Sequence, residues 1–216
     1  FDDYLQYRRR GSVQQCSINS YLIKLESKML TGIVEWGEDK KSISTGYIFG
    51  KVEFTQYSPE APVKVYLRIE GLPDGVHGFH IHEKPLEDTD GDVMDCCDKL
   101  GGHFHAGEKW SLENQNGTKH GNGIQIMEGK KTECHTGDLC NNIVVENNFC
   151  ELSFVDTKIS LFKDDKRCII GRSIVIHEDA DDLGMAEYDE EKKNIDKYIT
   201  GNAGRRIACG NISLVL

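Results

Sequence analysis

The chain has 216 residues, with 22 glycines, only 4 prolines and a formal net charge of −10. That length supports one domain of ordinary size with room for an appendage, and glycine-rich turns between short strands suit the composition better than long helices. The acidity argues against nucleic acid and anionic membranes as partners, and no apolar run approaches the ~18 residues that span a bilayer.

Residues 1–30 read as an N-terminal extension. The chain opens on Phe1 rather than Met, which predicts that an upstream piece has been removed, and residues 1–30 carry no recognisable signal peptide. Arg8-Arg9-Arg10 is solvated charge on the plain reading and a protease site or anion patch on the sharper one. Val13, Cys16, Tyr21, Leu22, Leu25 and Met29 keep roughly helical spacing, so an amphipathic helix and an unstructured extension are both open.

The domain proper is expected over residues 31–216. Strands are predicted at 32–36 and 47–57. A half-exposed antiparallel strand follows, in which Val63, Val65, Leu67 and Ile69 alternate with Lys64, Tyr66, Arg68 and Glu70. Leu72-Pro73-Asp74-Gly75 is a turn. On the next strand, 78–83, His80 and His82 point to one face while Phe79 and Ile81 point to the other, toward a core. Residues 84–142 are rich in Gly, Asp, Lys and Asn without periodicity. A structureless stretch of that length is usually functional. Strands resume at 143–146, 149–155, 159–162 and 168–178, a second charged loop covers 179–204, and a last strand covers 205–216. Eight or so such strands read as an all-β antiparallel barrel or sandwich.

All eight histidines lie between His77 and His177. A pair two apart on a strand is by itself more often an accident than a metal site. Here it is followed by His103, His120, His135, Asp138 and His177. Imidazole suits copper and zinc, and an added carboxylate suits zinc.

The segments Val76-His77-Gly78-Phe79-His80-Ile81-His82-Glu83, Gly102-His103-Phe104, Lys119-His120-Gly121, His135-Thr136-Gly137-Asp138-Leu139, Cys168-Ile169-Ile170-Gly171-Arg172, the run from His177 to Gly184 and the run from Gly201 to Gly210 together resemble the copper/zinc superoxide dismutase family. They come in family order across roughly residues 31–216. The resemblance implies an eight-stranded antiparallel Greek-key β-barrel, a flattened sandwich with two long functional loops. It implies copper on His80, His82, His103 and His177, and zinc on His103, His120, His135 and Asp138, with His103 bridging. Asp181 matches the outer carboxylate that joins a copper histidine to a zinc histidine, and His77 matches a supporting position. Arg206 matches the active-site arginine, and Cys97 and Cys209 match the family disulfide. The implied activity is dismutation of superoxide to oxygen and hydrogen peroxide in antioxidant defence. A non-catalytic copper/zinc-binding module of the same fold is the alternative. A metallochaperone is disfavoured because the chain has no Cys-x-x-Cys.

The chain also departs from the family pattern. His105-Ala106 replaces the usual Asn-Pro, and His105 is read as a solvent-facing loop residue. Arg205 replaces a smaller polar residue and is expected to raise the local positive field. The lysine before Thr-Gly-Asn is missing, leaving Lys192, Lys193 or Lys197 to substitute in steering the anionic substrate. Cys16, Cys96, Cys134, Cys140 and Cys150 are surplus, and Cys134 and Cys140 form either a small staple or two free thiols. Asn116-Gly117-Thr118 and Asn211-Ile212-Ser213 fit the N-glycosylation pattern. The start, the cysteines and the sequons tilt toward a secreted protein, with cytoplasm as the alternative. A homodimer is implied by resemblance. Asn211, an amide on the final strand, is expected to weaken it, with residues 13–29 supplying or shielding an interface instead.

Overall fold

The computed structural model describes residues 29–38, 42–87, 89–123, 133–185 and 199–215. The arginine triplet, Cys16, the helical segment up to residue 28 and Lys192, Lys193 and Lys197 lie outside the described residues. Among those described, ten strands run in chain order: β1 (Leu30–Trp36), β2 (Ile43–Ser44), β3 (Phe49–Gln56), β4 (Val63–Glu70), β5 (Gly75–His82), β6 (Asn142–Val145), β7 (Phe149–Asp156), β8 (Ser173–His177), β9 (Arg206–Asn211) and β10 (Ser213–Val215). They form two five-stranded antiparallel sheets, ordered β10-β1-β3-β4-β7 and β2-β9-β8-β5-β6. Within the named strands no ladder joins the sheets, while Glu146, next after β6, forms an isolated bridge with Phe149 of β7, and the two sheets make the expected flattened sandwich.

Alternation decides which face is buried. In β4, Val63, Val65, Leu67 and Ile69 are fully buried while Lys64, Arg68 and Glu70 are exposed. Against them pack Phe79 and Ile81 of β5 and Ile174 and Ile176 of β8. The inner strands of the second sheet are buried on both faces, β8 throughout and β5 from His77 onward. The outer face of this sheet carries His80, His82 and His177, and described parts of the first long loop bring His103 and His120 against it.

The loops are more ordered than their composition suggests. Residues Val93–Asp98 form a short helix, α1, capped by Asp92, whose Oδ1 accepts from Met94 N at 2.9 Å. The Cys97–Cys209 disulfide ties α1 to β9, with the Cα atoms 6.0 Å apart. Residues 108–118 fold back on themselves, with Trp110 N donating to Thr118 O and Thr118 N to Glu108 O, both at 2.8 Å.

Three strand expectations change. Residues 159–162 form no strand. Ser160 makes only an isolated bridge with Cys168, and the alternation there reflects Ile159 and Leu161 reaching the core. The strand expected over 168–178 begins only at Ser173, because Gly171, at φ +83°, turns the chain. The last strand divides at buried Ile212, whose backbone bonds to Gly171 and Arg172 instead of a ladder. β9 and β10 thereby fall in different sheets.

Cys96, Cys134, Cys140 and Cys150 are buried free thiols, so no staple joins Cys134 to Cys140. Burial pushes each of those two thiols up to about 12. The Asn211 amide is engaged within the chain at both its oxygen and its nitrogen. Its Oδ1 accepts from Leu86 N at 2.7 Å and from Ser173 Oγ at 3.1 Å, and its Nδ2 donates to Leu86 O at 2.8 Å. The desolvation cost that predicted a weakened dimer therefore does not arise from this side chain.

Candidate metal centre

Strand geometry supplies the first donors. His80 and His82 project from β5, and His177 from the end of β8, which pairs with β5. Backbone carbonyls orient two of these rings. His82 Nδ1 donates to Gly101 O at 2.9 Å, and His177 Nδ1 to Gly204 O at 3.3 Å. A carbonyl can only accept, so both rings carry their proton on Nδ1 and keep a lone pair on Nε2. The two Nε2 atoms lie 3.4 Å apart. His103, bridged to His82 in backbone register, completes the group. The donor atoms of His80, His82, His103 and His177 all lie within 4.8 Å of one another.

Loop geometry supplies the rest. His103, His120, His135 and Asp138 form a second compact, buried group of the same kind. His103 is common to both. Its Nδ1 lies 2.8 Å from Asp138 Oδ1 and its ring centroid 4.0 Å from that of His80. His120 Nδ1 lies 3.1 Å and His135 Nδ1 3.7 Å from the same carboxylate oxygen. The far nitrogens are tied down: His135 Nε2 against Thr118 O at 3.1 Å, His120 Nε2 against Asp181 Oδ1 at 3.0 Å. The other Asp181 oxygen, Oδ2, lies 2.8 Å from His80 Nε2, although the pair is not aligned as a hydrogen bond. Asp181 therefore touches one ring from each group. His77 spans the carbonyls of His177 and Pro73, each at 2.9 Å, and fixes the end of β8.

The donor set fits metal ions. Among the described residues, eight buried side-chain polar atoms lack a hydrogen-bond partner, and six belong to this centre, including His80 Nδ1, His103 Nε2, His120 Nδ1 and His135 Nδ1. Native interiors leave few such atoms unpaired, at a cost of about 1–3 kcal/mol each. Lone pairs converging from two sides on a shared imidazole are what two adjacent cations would satisfy.

The electrostatics differ across the centre. Burial pushes His82, His103 and His177 down, helped by Arg206 at His82 and by His80 at the other two, with His103 reaching about 3. Burial also acts downward on His120, but Asp138 and Asp181 together outweigh it and raise His120 to about 10. Burial acts upward on Asp138, and its contacts with His103, His120 and His135 overcome this and hold it well below the usual carboxylate range.

Arg206, at the start of β9, reaches the rim. It donates to Cys97 O and Gly101 O, both at 2.7 Å. The Gly101 carbonyl thus holds both Arg206 and His82, and the disulfide anchors the segment that presents it. Gly101 has φ +78°, and a Cβ there would meet Glu83 Oε2 at 2.8 Å. Arg205 does not add free positive charge, because Glu178 engages its Nε at 2.7 Å and Nη2 at 2.5 Å.

His105 is half-buried rather than solvent-facing. Its Nδ1 accepts from Thr136 N at 3.1 Å and so secures the turn that carries Asp138. Lys158 was not visible as a supporting residue. Its Nζ donates to Leu139 O at 2.9 Å and pairs with buried Asp156 at 3.0 Å. It braces Leu139, at φ +46°, immediately after Asp138. A lysine among the core-directed residues that follow β7 was the available signal. Lys109 links Glu83 to the carbonyl of His103 and was equally silent in the sequence.

A sandwich bearing two adjoining metal-binding groups with one shared histidine defines a class of dinuclear β-sheet metalloproteins. Residues 48–212 match the family model described as copper/zinc superoxide dismutase. Relatives include an extracellular Cu-Zn superoxide dismutase of Drosophila melanogaster, 36% identical over 76% of this chain and 75% of its own length. The Cu-Zn superoxide dismutase A of Xenopus laevis is 39% identical over 78% of this chain and 91% of its own. A solved structure described as the clock protein EA4 has 33% identity and a TM-score of 0.59, covering 88% of this chain and 96% of that one. The chain belongs to the copper/zinc superoxide dismutase family, which implies copper and zinc as its metals.

Proposed function

We propose that the protein dismutes superoxide to oxygen and hydrogen peroxide at this centre. Copper would be held by His80, His82, His103 and His177, and zinc by His103, His120, His135 and Asp138. The observation that carries the reading is the shared His103, with Nδ1 at Asp138 and a buried, unpaired Nε2 turned to the other group. When bound, copper supplies one-electron redox chemistry and zinc a fixed positive charge.

The chain's own residues do the remaining work. His82 and His177 keep Nε2 free because carbonyls hold the proton on Nδ1. Low intrinsic basicity keeps these rings neutral at working pH. His103 Nε2 would take up a proton in the half-reaction that oxidises superoxide to oxygen and give it up in the half-reaction that reduces superoxide, the second proton of hydrogen peroxide coming from solvent. Asp181 keeps His80 and His120 in fixed orientation, as partners of ligand rings do. Arg206 stays charged under all working conditions and keeps N–H donors beyond its contacts with the carbonyls of Cys97, Gly101 and Asp98, so it attracts and orients a small anion at the rim.

Metal analysis combined with superoxide-decay kinetics tests this. About one copper and one zinc per chain should accompany rapid decay that cyanide abolishes. A metal-loaded, folded protein without activity would leave a copper/zinc-binding module. Arg206→Ile should lower the second-order rate and flatten its salt dependence while leaving metal content unchanged.

A further inference from the structure

Two segments of this chain fit the N-glycosylation pattern, and the fold treats them in opposite ways. We infer that Asn116 is an N-linked glycosylation site and that Asn211 is not, whenever the chain passes through a secretory compartment.

Asn116 sits at the tip of the self-bonded loop 108–118. Gly117 N donates to Asn114 O at 3.3 Å, which closes a turn over residues 114–117 with Asn116 at its third position. Asn116 is exposed, and its side chain has no hydrogen-bond partner among the described residues. Gly117 is buried, and a Cβ there would collide with the backbone of Lys109. The middle of the sequon therefore faces inward and its asparagine faces outward. The base of the loop is held independently of the tip. Trp110 N and His135 Nε2 both donate to Thr118 O, at 2.8 and 3.1 Å, and Lys119 lies 5.9 Å from the centre of the Trp110 ring. A bulky substituent on Asn116 thus extends into solvent without disturbing a contact that the loop needs.

Asn211 offers none of this. It lies in β9, its amide is engaged by Leu86 and Ser173, and the next residue, Ile212, is buried. A sugar on its Nδ2 would be forced against Leu86 and the β8 edge, so a chain modified there would not complete this sheet.

In the transfer, Asn116 Nδ2 bonds to the anomeric carbon of an oligosaccharide carried on a lipid pyrophosphate. The amide gives up one proton and the lipid pyrophosphate leaves. The product places a hydrophilic chain on the loop that joins His103 to His120.

The test is to express the full chain behind a cleavable secretion signal in animal cells. The glycan is then released with an amide-cleaving glycosidase in heavy-oxygen water, and peptides are mapped by mass spectrometry. Enzymatic release leaves a labelled aspartate, whereas earlier spontaneous deamidation of Asn116-Gly117 leaves an unlabelled one. Label at Asn116 alone is the expected result. Asn116→Gln and Thr118→Ala should each abolish the mass shift, and Asn116→Gln should do so while keeping metal content and superoxide decay. Thr118→Ala abolishes the shift with the asparagine and its turn intact. A secreted, folded chain without label at Asn116, or with label at Asn211, overturns the assignment.

Discussion

The two halves of the centre are built by different means. His80, His82 and His177 stand on paired strands of a sheet whose inner strands are buried on both faces, and backbone carbonyls set the tautomers of His82 and His177. His120, His135 and Asp138 stand on loops and are oriented by one another, by Asp181 and by a carbonyl of a neighbouring loop. In the first half, burial holds His82 and His177 as neutral imidazoles. A carboxylate compensated by a proton on His120 dominates the second. On the proposed reading, the difference teaches that the strand-borne half is shaped before metal arrives, whereas the loop-borne half would give up the His120 proton on taking a cation.

His103 belongs to both halves, so its loss should have the largest effect. His103→Ala is expected to lower superoxide decay by more than about 100-fold, beyond what loss of a ligand's outer partner costs. It should weaken both metals together in competitive chelator titrations. Loss of only one metal would mean that the halves are separate.

Asp138→Ala addresses the loop-borne half alone. Zinc affinity should fall by at least about 100-fold, while copper binding and part of the activity survive. Equal loss of both metals would show that the strand-borne half is not ready on its own.

The opposite proton affinities give the metal-free protein a peaked stability profile. His103 is depressed from 6.5 to about 3, and His82 and His177 shift the same way. Their contribution is complete above pH 6.5 and is lost as pH falls toward about 3. His120 is raised to about 10, so its contribution is complete below pH 6.5 and is lost as pH rises through 10. Melting temperatures measured against pH should therefore peak near pH 6.5. A flat profile across that range contradicts the contrast between the halves.

The smallest effect is expected at Lys158. Lys158→Met removes the partner of Leu139 O and the ion-pair partner of the Asp156 carboxylate, which keeps only the backbone N–H of residue 158, at 2.6 Å, and both groups are deeply buried. Zinc affinity should drop about 10-fold, with copper affinity unchanged. The absorption spectrum of cobalt in the zinc position should also shift. Lys158→Arg should restore the carboxylate pairing and part of that affinity. A change in melting temperature without a change in zinc affinity or spectrum would confine Lys158 to general stability.

The same contrast governs what could be read from the sequence. The strand-borne half was legible because period-2 alternation places His80 and His82 opposite Phe79 and Ile81. The sandwich class followed from the same alternation in β4. The loop-borne half has no period. Its ligands came from resemblance, and its supports, Lys158 and His105, were missed or misread, because side chain to backbone bonds such as Lys158 to Leu139 O leave no pattern. Helix α1 was missed because its six residues are too few to show helical spacing. The split between β9 and β10 depends on where Ile212 finds partners, and these lie far earlier in the chain, at Gly171 and Arg172.

The most direct measurement on the shared centre is electron paramagnetic resonance with copper(II) loaded into both halves. If one His103 imidazole joins them, the two spins couple through the ring and the ordinary copper signal is lost. It should return when the protein is acidified enough to break the bridge. Two independent, full-intensity copper signals at neutral pH would contradict the account.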